Sequence, residues 1–355
     1  MTAGPDAIAQ AARLLEEGKL VAIPTETVYG LAADADNSAA VAAIFEAKGR
    51  PSNHPLIVHV ARDADLSHWA IDIPPVAQQL IAAFWPGPLT LILKRAPGVD
   101  DVITGGQDSI GVRCPSHPVA QALLKLFRGG QGGIAAPSAN RFGCVSPTTA
   151  QHVIDELGEP GVGPVSAVLD GGACEVGIES TIIDLTRLDT QGPVLLRPGQ
   201  ISVQQLEQVL GRVLATTDHA APRVSGSLDA HYAPRTPLAL IESEALAETM
   251  AVLHAKQRQV VSLAIDKEVV KTKALQTEDL QSKSVDREGV FTTQMPSDPQ
   301  AYAQALYAQL RKLDQVGADL ILVEQPPKTT AWQGINDRLQ RAAFDSAGVL
   351  ERLLA

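Results

Sequence analysis

Residues 23–35 read IPTETVYGLAADA and set three hydroxyls and a carboxylate at the tip of an apolar run: Thr25, Glu26, Thr27 and Tyr29. Polar groups clustered at a strand end stand where ligands bind in open α/β sheets. In KGRPSNHPLIVH, Lys48 and Arg50 follow a helix, Pro51 and Pro55 stiffen the loop, and His59 lies inside the next strand. Two cations in a Gly/Pro loop suit a phosphate, and they serve equally to complement a helix C-terminus. In DSIGVRCPSHP, Arg113 stands in an otherwise apolar strand, where a charge is expensive unless paired with a ligand or a structural partner.

In APSANRFGCVSPT, Ser138, Asn140, Ser146 and Thr148 crowd a turn before a helix. Such groups cradle phosphate, or merely cap and turn the chain. GIESTIIDL and LLRPGQI contribute Ser180 and Arg197 near the ends of two strands, and HYAPRTP contributes His231 and Tyr232. No G-x-S-x-G elbow, H-E-x-x-H pair, Walker loop or G-x-G-x-x-G fingerprint occurs, so a nucleotide would be held by some other route.

The elements that must position these residues alternate. Helical spacing runs over 5–18 (Ile8, Ala11, Ala12, Leu14, Leu15) and again over 38–49. Apolar runs at 20–24, 55–60, 89–93, 133–137, 167–172, 180–185 and 194–199 read as strands, with helices at 119–127 and 148–157 between them. The stretch APRVSGSLDAHYAPRTP is rich in Pro, Gly and Ser and reads as a linker. Beyond it strands at 238–241, 260–265 and 320–325 alternate with helices at 245–256, 302–317 and 335–344, while 266–290 shows no pattern. An α/β chain of two domains is expected, at 1–210 and 237–355, with a linker or lid at 211–236.

The bulk numbers narrow the partners. A length of 355 residues exceeds one ordinary core. The net charge of -11 argues against tight nonspecific binding of nucleic acid. Three dispersed cysteines, Cys114, Cys144 and Cys174, form neither a zinc pattern nor a disulfide framework, and no metal ligands are expected from the protein. The N-terminus lacks a signal-peptide pattern, and no stretch approaches the ~20 apolar residues of a membrane span. A cytoplasmic protein with no membrane partner is expected.

The stretches PTETVYGL, KGRP...PLIVH, FWPGPLTLIL, GVRCPSHP, APSAN...SPT, GIESTIIDL and LLRPG, in this order, resemble the YrdC/Sua5 family. HYAPRTP followed by a small α/β region resembles its longer Sua5 form. The resemblance implies a twisted mixed sheet around a large, positively lined cavity, with a smaller Rossmann-like Sua5 domain after it. It implies a nucleotidyltransferase that converts L-threonine, bicarbonate and ATP with Mg²⁺ into threonylcarbamoyl-AMP and pyrophosphate. A separate threonylcarbamoyl transferase complex would then use the product to modify ANN-decoding tRNA.

By the same resemblance, threonine is expected at Thr27, His59, Arg113, Ala136 and Ser180. ATP is expected at Lys48, Arg50, His54, Ser109, Ser138, Asn140, Ser146, Arg197 and Tyr232, with Lys48, Arg50 and Arg113 the catalytic cations. His54 stands where the family usually has Asn, and Ser225-Gly226-Ser227-Leu228 stands where its linker often has Ser-Pro-Gly-Met. Two other readings compete: a non-catalytic module that holds double-stranded RNA, and a carbamoyl-type transferase, whose acylphosphatase-like and zinc-finger segments are not visible here.

Overall fold

A helix whose apolar residues recur at i, i+3, i+4 and i+7 has one face to bury. Over Pro5–Glu16 that face is Ile8, Ala11, Ala12 and Leu15. In the computed structural model, which describes residues 2–226, 228–266 and 291–355, it packs on the hairpin of β1 (Val21–Ile23) and β2 (Gly30–Asp34) through Val21, Ile23 and Ala32. The alternate residues Ala22, Leu31 and Ala33 enter a cluster on the other face. β2 is buried along its whole length. Its Ala-rich run lacks both alternation and β-branched residues, so the sequence pattern does not reveal it.

Eight more strands complete a ten-stranded mixed sheet: β3 (Ile57–Val60), β4 (Ala70–Ile71), β5 (Leu89–Arg95), β6 (Ser109–Arg113), β7 (Gly133–Ala135), β8 (Ala167–Val168), β9 (Thr181–Asp184) and β10 (Val194–Arg197). Their order is β10-β9-β5-β6-β3-β7-β2-β1-β8, with β4 on β5. One face carries a continuous core of Val58, Val60, Leu89, Leu91, Leu93, Ile110 and Val112. The opposite face is apolar at the β7-β2-β1-β8 end, under Leu123, Leu124 and Phe127. From β3 to β10 it carries instead Ile92 and Ile182, covered by Val224, and a set of polar side chains.

The chain divides into two units, Met1–Phe142 with Ser146–Leu228, and Gly143–Val145 with Asp229–Ala355. Val224 and Ser225, read from sequence as linker, therefore belong to the first. The second holds a parallel sheet in the order β11-β14-β12-β13, from β11 (Leu238–Ile241), β12 (Val260–Ile265), β13 (Phe291–Met295) and β14 (Leu320–Glu324). The polar sequence FTTQM hides β13 from a periodicity reading. Apart from Asp266, the unpatterned stretch 266–290 lies outside the described residues.

Close packing leaves no room for a side chain at Gly133, in β7 between β3 and β2. A Cβ there would lie 2.6 Å from Val58 Cγ1 and 2.7 Å from Trp69 Cε2. Gly133→Ala is expected to cost about 1–3 kcal/mol by overpacking, read as a lower denaturant midpoint at unchanged slope.

Candidate active site

Five adjacent strands place one residue each in a single register row: His59 opposite Arg113, Arg113 opposite Thr90, Thr90 opposite Ile182, and Ile182 opposite Arg197. Side chains paired across a sheet share a face. The row therefore lies on the face that the helices leave to polar groups. Two residues back along the strands runs the apolar pair Ile57 and Ile92, with Gly111 between them. Ile57, Ile92, Ser109, Gly111, Ile182 and Val224 line a narrow, partly open cleft beside the row.

The turn between β1 and β2 meets this row through Arg113. Thr25 Oγ accepts the Thr27 and Val28 amides at 3.2 Å each and spends its own proton on the Val28 carbonyl at 2.6 Å. Thr27 must then be the donor in the 2.9 Å hydroxyl pair with Thr25. Its oxygen in turn accepts from Arg113 Nη1 at 2.9 Å. Glu26, 3% exposed, accepts Arg113 Nη2 on Oε1 at 2.5 Å and the Ser116 amide on Oε2 at 3.1 Å. Arg113 Nε donates to the Gly87 carbonyl at 3.3 Å. Of five guanidinium N–H groups, three are used, and one on each terminal nitrogen has no protein acceptor among the described residues.

At the far end of the row, Arg197 donates to the Ser180 carbonyl (3.0 Å) and hydroxyl (3.1 Å) and to the Ser225 carbonyl (2.8 Å). Ser180 also pairs with the Thr90 hydroxyl at 2.8 Å. The Arg50 guanidinium donates to the Pro55 carbonyl at 2.9 Å, has Ser225 Oγ at 3.5 Å, and stacks on Phe142. His54 stands edge-on to the same Phe142, and burial with the Arg50 and Arg223 charges lowers its pKa. Lys48 donates to the carbonyls of Ser138 and Asn140 at 2.5 Å each, so it clamps that turn. Gly30 lets that turn approach, since a Cβ there would meet Ala136 Cβ at 3.2 Å. The Ala136 amide is bonded to the Ile57 carbonyl, Asn140 Nδ2 to the Arg141 carbonyl, and the Ser146 hydroxyl to Glu179 at 2.6 Å.

The structure thus gathers Thr27, His59, Arg113, Ser180 and Arg197 on one sheet face or its rim, and gathers Lys48 with Ser138 and Asn140, and Arg50 with His54. Tyr232 is placed in the second unit. It is buried there at φ +62°, a region that a bulky side chain rarely adopts, with Arg338 over its ring and Tyr307 stacked on it. Sequence reasoning missed Thr90, Glu179 and Ser225. The one local signal for Thr90 is a hydroxyl in an otherwise Leu/Ile strand. Cys114 and Cys174 are buried thiols whose pKa values burial raises, Cys114 to about 11.

His59 is 3% exposed; burial first, and then the Arg113 charge, lower its pKa to about 3. It is a neutral imidazole at ordinary pH, able to hydrogen-bond but not to carry charge. Because the unfolded chain takes up that proton near 6.5 while the folded one does not, this contribution to stability is complete above pH 6.5. It is lost as pH falls toward 3, at about 1.4 kcal/mol per pH unit. His59→Asn should flatten the stability profile between pH 6.5 and 4 relative to wild type, measured by denaturant titration.

A profile of the Sua5/YciO/YrdC family, described as "Telomere recombination", matches residues 13–199. A second, described as "Threonylcarbamoyl-AMP synthase, C-terminal domain", matches residues 201–344. The chain is 38% identical over 340 residues to a threonylcarbamoyl-AMP synthase of Pyrococcus abyssi, covering 94% of this chain and 93% of the relative. It is 38% identical over 345 residues to one of Bacillus subtilis, covering 95% and 92%. The solved structure of P. abyssi Sua5 complexed with L-threonine superimposes with a TM-score of 0.82 at 35% identity, over 96% of this chain and 94% of that one.

Proposed function

The chain belongs to the Sua5 family of threonylcarbamoyl-AMP synthases, with a YrdC domain and a C-terminal Sua5 domain, and on that premise we propose that the row from His59 to Arg197 is where it joins L-threonine, bicarbonate and ATP. The observation that carries the residue roles is Arg113. It is fixed by three bonds, and its two remaining N–H groups sit one on each terminal nitrogen. Each is left to donate to an incoming oxygen, and a carboxylate is an acceptor that a guanidinium favours. The threonine carboxylate fits it, with Thr27 Oγ offering only lone pairs, and so suited to a substrate N–H or O–H. Neutral His59 supplies a hydrogen-bonding edge without competing charge. Ala136 and Ser180 border the same pocket in this reading.

In the reaction, the threonine amine and bicarbonate form a carbamate with loss of water. A carbamate oxygen then bonds to the α-phosphorus of ATP as the bond to the β-phosphate oxygen breaks, releasing pyrophosphate. Two anions must meet, so the chain's task is positioning and cancellation of repulsion rather than covalent catalysis. Lys48, Arg50 and Arg197 supply buried positive charge, and the Ser138–Asn140 turn that Lys48 clamps supplies polar groups to the phosphates. Ser109, His54 and Ser146 are assigned to the nucleotide as well. The hydroxyl proton of Ser146 goes to Glu179, so its oxygen acts as an acceptor.

Among the described residues no three acidic, thiol or imidazole side chains converge. Mg²⁺ therefore fits as the companion of the ATP phosphates, whose charge it neutralises when bound. The cavity expected of the family would open over the row, with Val224 and Ser225 on one side. The all-parallel order of the second sheet supports its Rossmann-like reading. The product, a mixed anhydride, would pass to a separate threonylcarbamoyl transferase, where tRNA enters. Among the described residues no helix is long and apolar enough to cross a membrane.

Pyrophosphate release is expected to require ATP, threonine and bicarbonate together. Release without threonine, or none with all three, rejects the reading. Arg113→Lys, which keeps the charge but loses the fork, should raise the threonine KM about tenfold or more and the ATP KM much less.

A further inference from the structure

The site poses a sorting problem. Lys48, Arg50, Arg113 and Arg197 are all under 10% exposed in the first unit. Arg113 and Arg197 share one register row, three strand steps or about 14 Å apart. A guanidinium fork receives phosphate as readily as carboxylate. A triphosphate would therefore be drawn to Arg113 unless something there disfavours it.

Resting on the synthase reading, we infer that Glu26 is that element: a specificity-determining residue that masks the charge of Arg113, so that its fork accepts an amino-acid carboxylate and not a phosphate. The Glu26 carboxylate lies 2.5 Å from Arg113 Nη2 in a setting where both side chains are about 95% buried. Weak screening there makes the local charge of the pair close to zero. An incoming amino acid is a zwitterion, so its carboxylate on the fork is balanced by its own ammonium. A triphosphate brings several negative charges with no such balance, and it meets the Glu26 carboxylate at the same guanidinium. Position and charge are both built in. Glu26 Oε2 is tied to the Ser116 amide, so the carboxylate cannot swing away from Arg113 without breaking that bond too, and the backbone of Glu26 is held by the Val176 amide on its carbonyl.

Glutamine is the informative replacement. Glu26→Gln removes the charge, and its single acceptor oxygen cannot serve both Arg113 and the Ser116 amide. The full chain is titrated calorimetrically with L-threonine, with and without inorganic tripolyphosphate, and the same additions are made to the pyrophosphate-release assay. In wild type, tripolyphosphate should compete with ATP and leave threonine affinity unchanged. In E26Q it should become competitive with threonine and raise the apparent threonine Kd about tenfold. A merely structural role for Glu26 would weaken both substrates without creating that competition.

Folded E26Q whose threonine affinity ignores tripolyphosphate overturns the inference. So does wild-type protein in which tripolyphosphate already displaces threonine, a result that stands even if E26Q does not fold. Wild-type protein that neither binds threonine nor releases pyrophosphate in its presence rejects the synthase reading instead.

Discussion

A guanidinium buried in a β-sheet is tolerable only if its charge and its donors are answered. Arg113 is the point on which the first unit depends. Its charge is met by Glu26, one donor by Thr27 and another by the Gly87 carbonyl. These partners come from the β1–β2 turn and from the approach to β5, so one side chain ties three segments together. The same pairing explains the polar turn. Thr25 organises it, Thr27 passes its proton inward, and Glu26 also holds the Ser116 amide. In the proposed function, what would otherwise be an expensive burial becomes the framework of a recognition site.

The sheet supports this by treating its two faces differently. One is sealed from β1 to β9 by leucine, isoleucine, valine and alanine. The other is apolar where the N-terminal helix and Pro118–Leu126 cover it. Where that cover ends, the row His59–Arg113–Thr90–Arg197 begins, and Val224 covers the small apolar floor beside it. The members of the row stand on strands, which suits the proposed role, in which catalysis would rest on orientation and charge balance. Removal of charge from His59 by burial belongs to the same economy: next to Arg113, a neutral imidazole avoids a second uncompensated cation.

The second unit holds a buried cation in another way. Arg338 lies against the Tyr232 ring and beside Asp337. Tyr232 accepts a left-handed backbone conformation to stand there, stacked on Tyr307. Composition marks this stretch as a linker but cannot see which aromatic finds a partner, and that partner is supplied by tertiary packing.

Much was legible from residue order alone. Helical periodicity exposed the Pro5–Glu16 and Ser38–Lys48 helices. The ordered motifs carried the family, and the hydroxyl-rich tip already implied a polar pocket. These signals are local, so a linear string contains them. Tertiary structure alone decided that residues 59, 90, 113 and 197 stand in one row. Alternation tells that a strand has two faces, but strand order and register come from pairing between distant segments. A slip of one residue would have turned every member of the row to the opposite side. For the same reason Thr90 stayed hidden in a leucine-rich strand, and Glu26 could be read as polar but not as the counter-charge of an arginine 87 positions away.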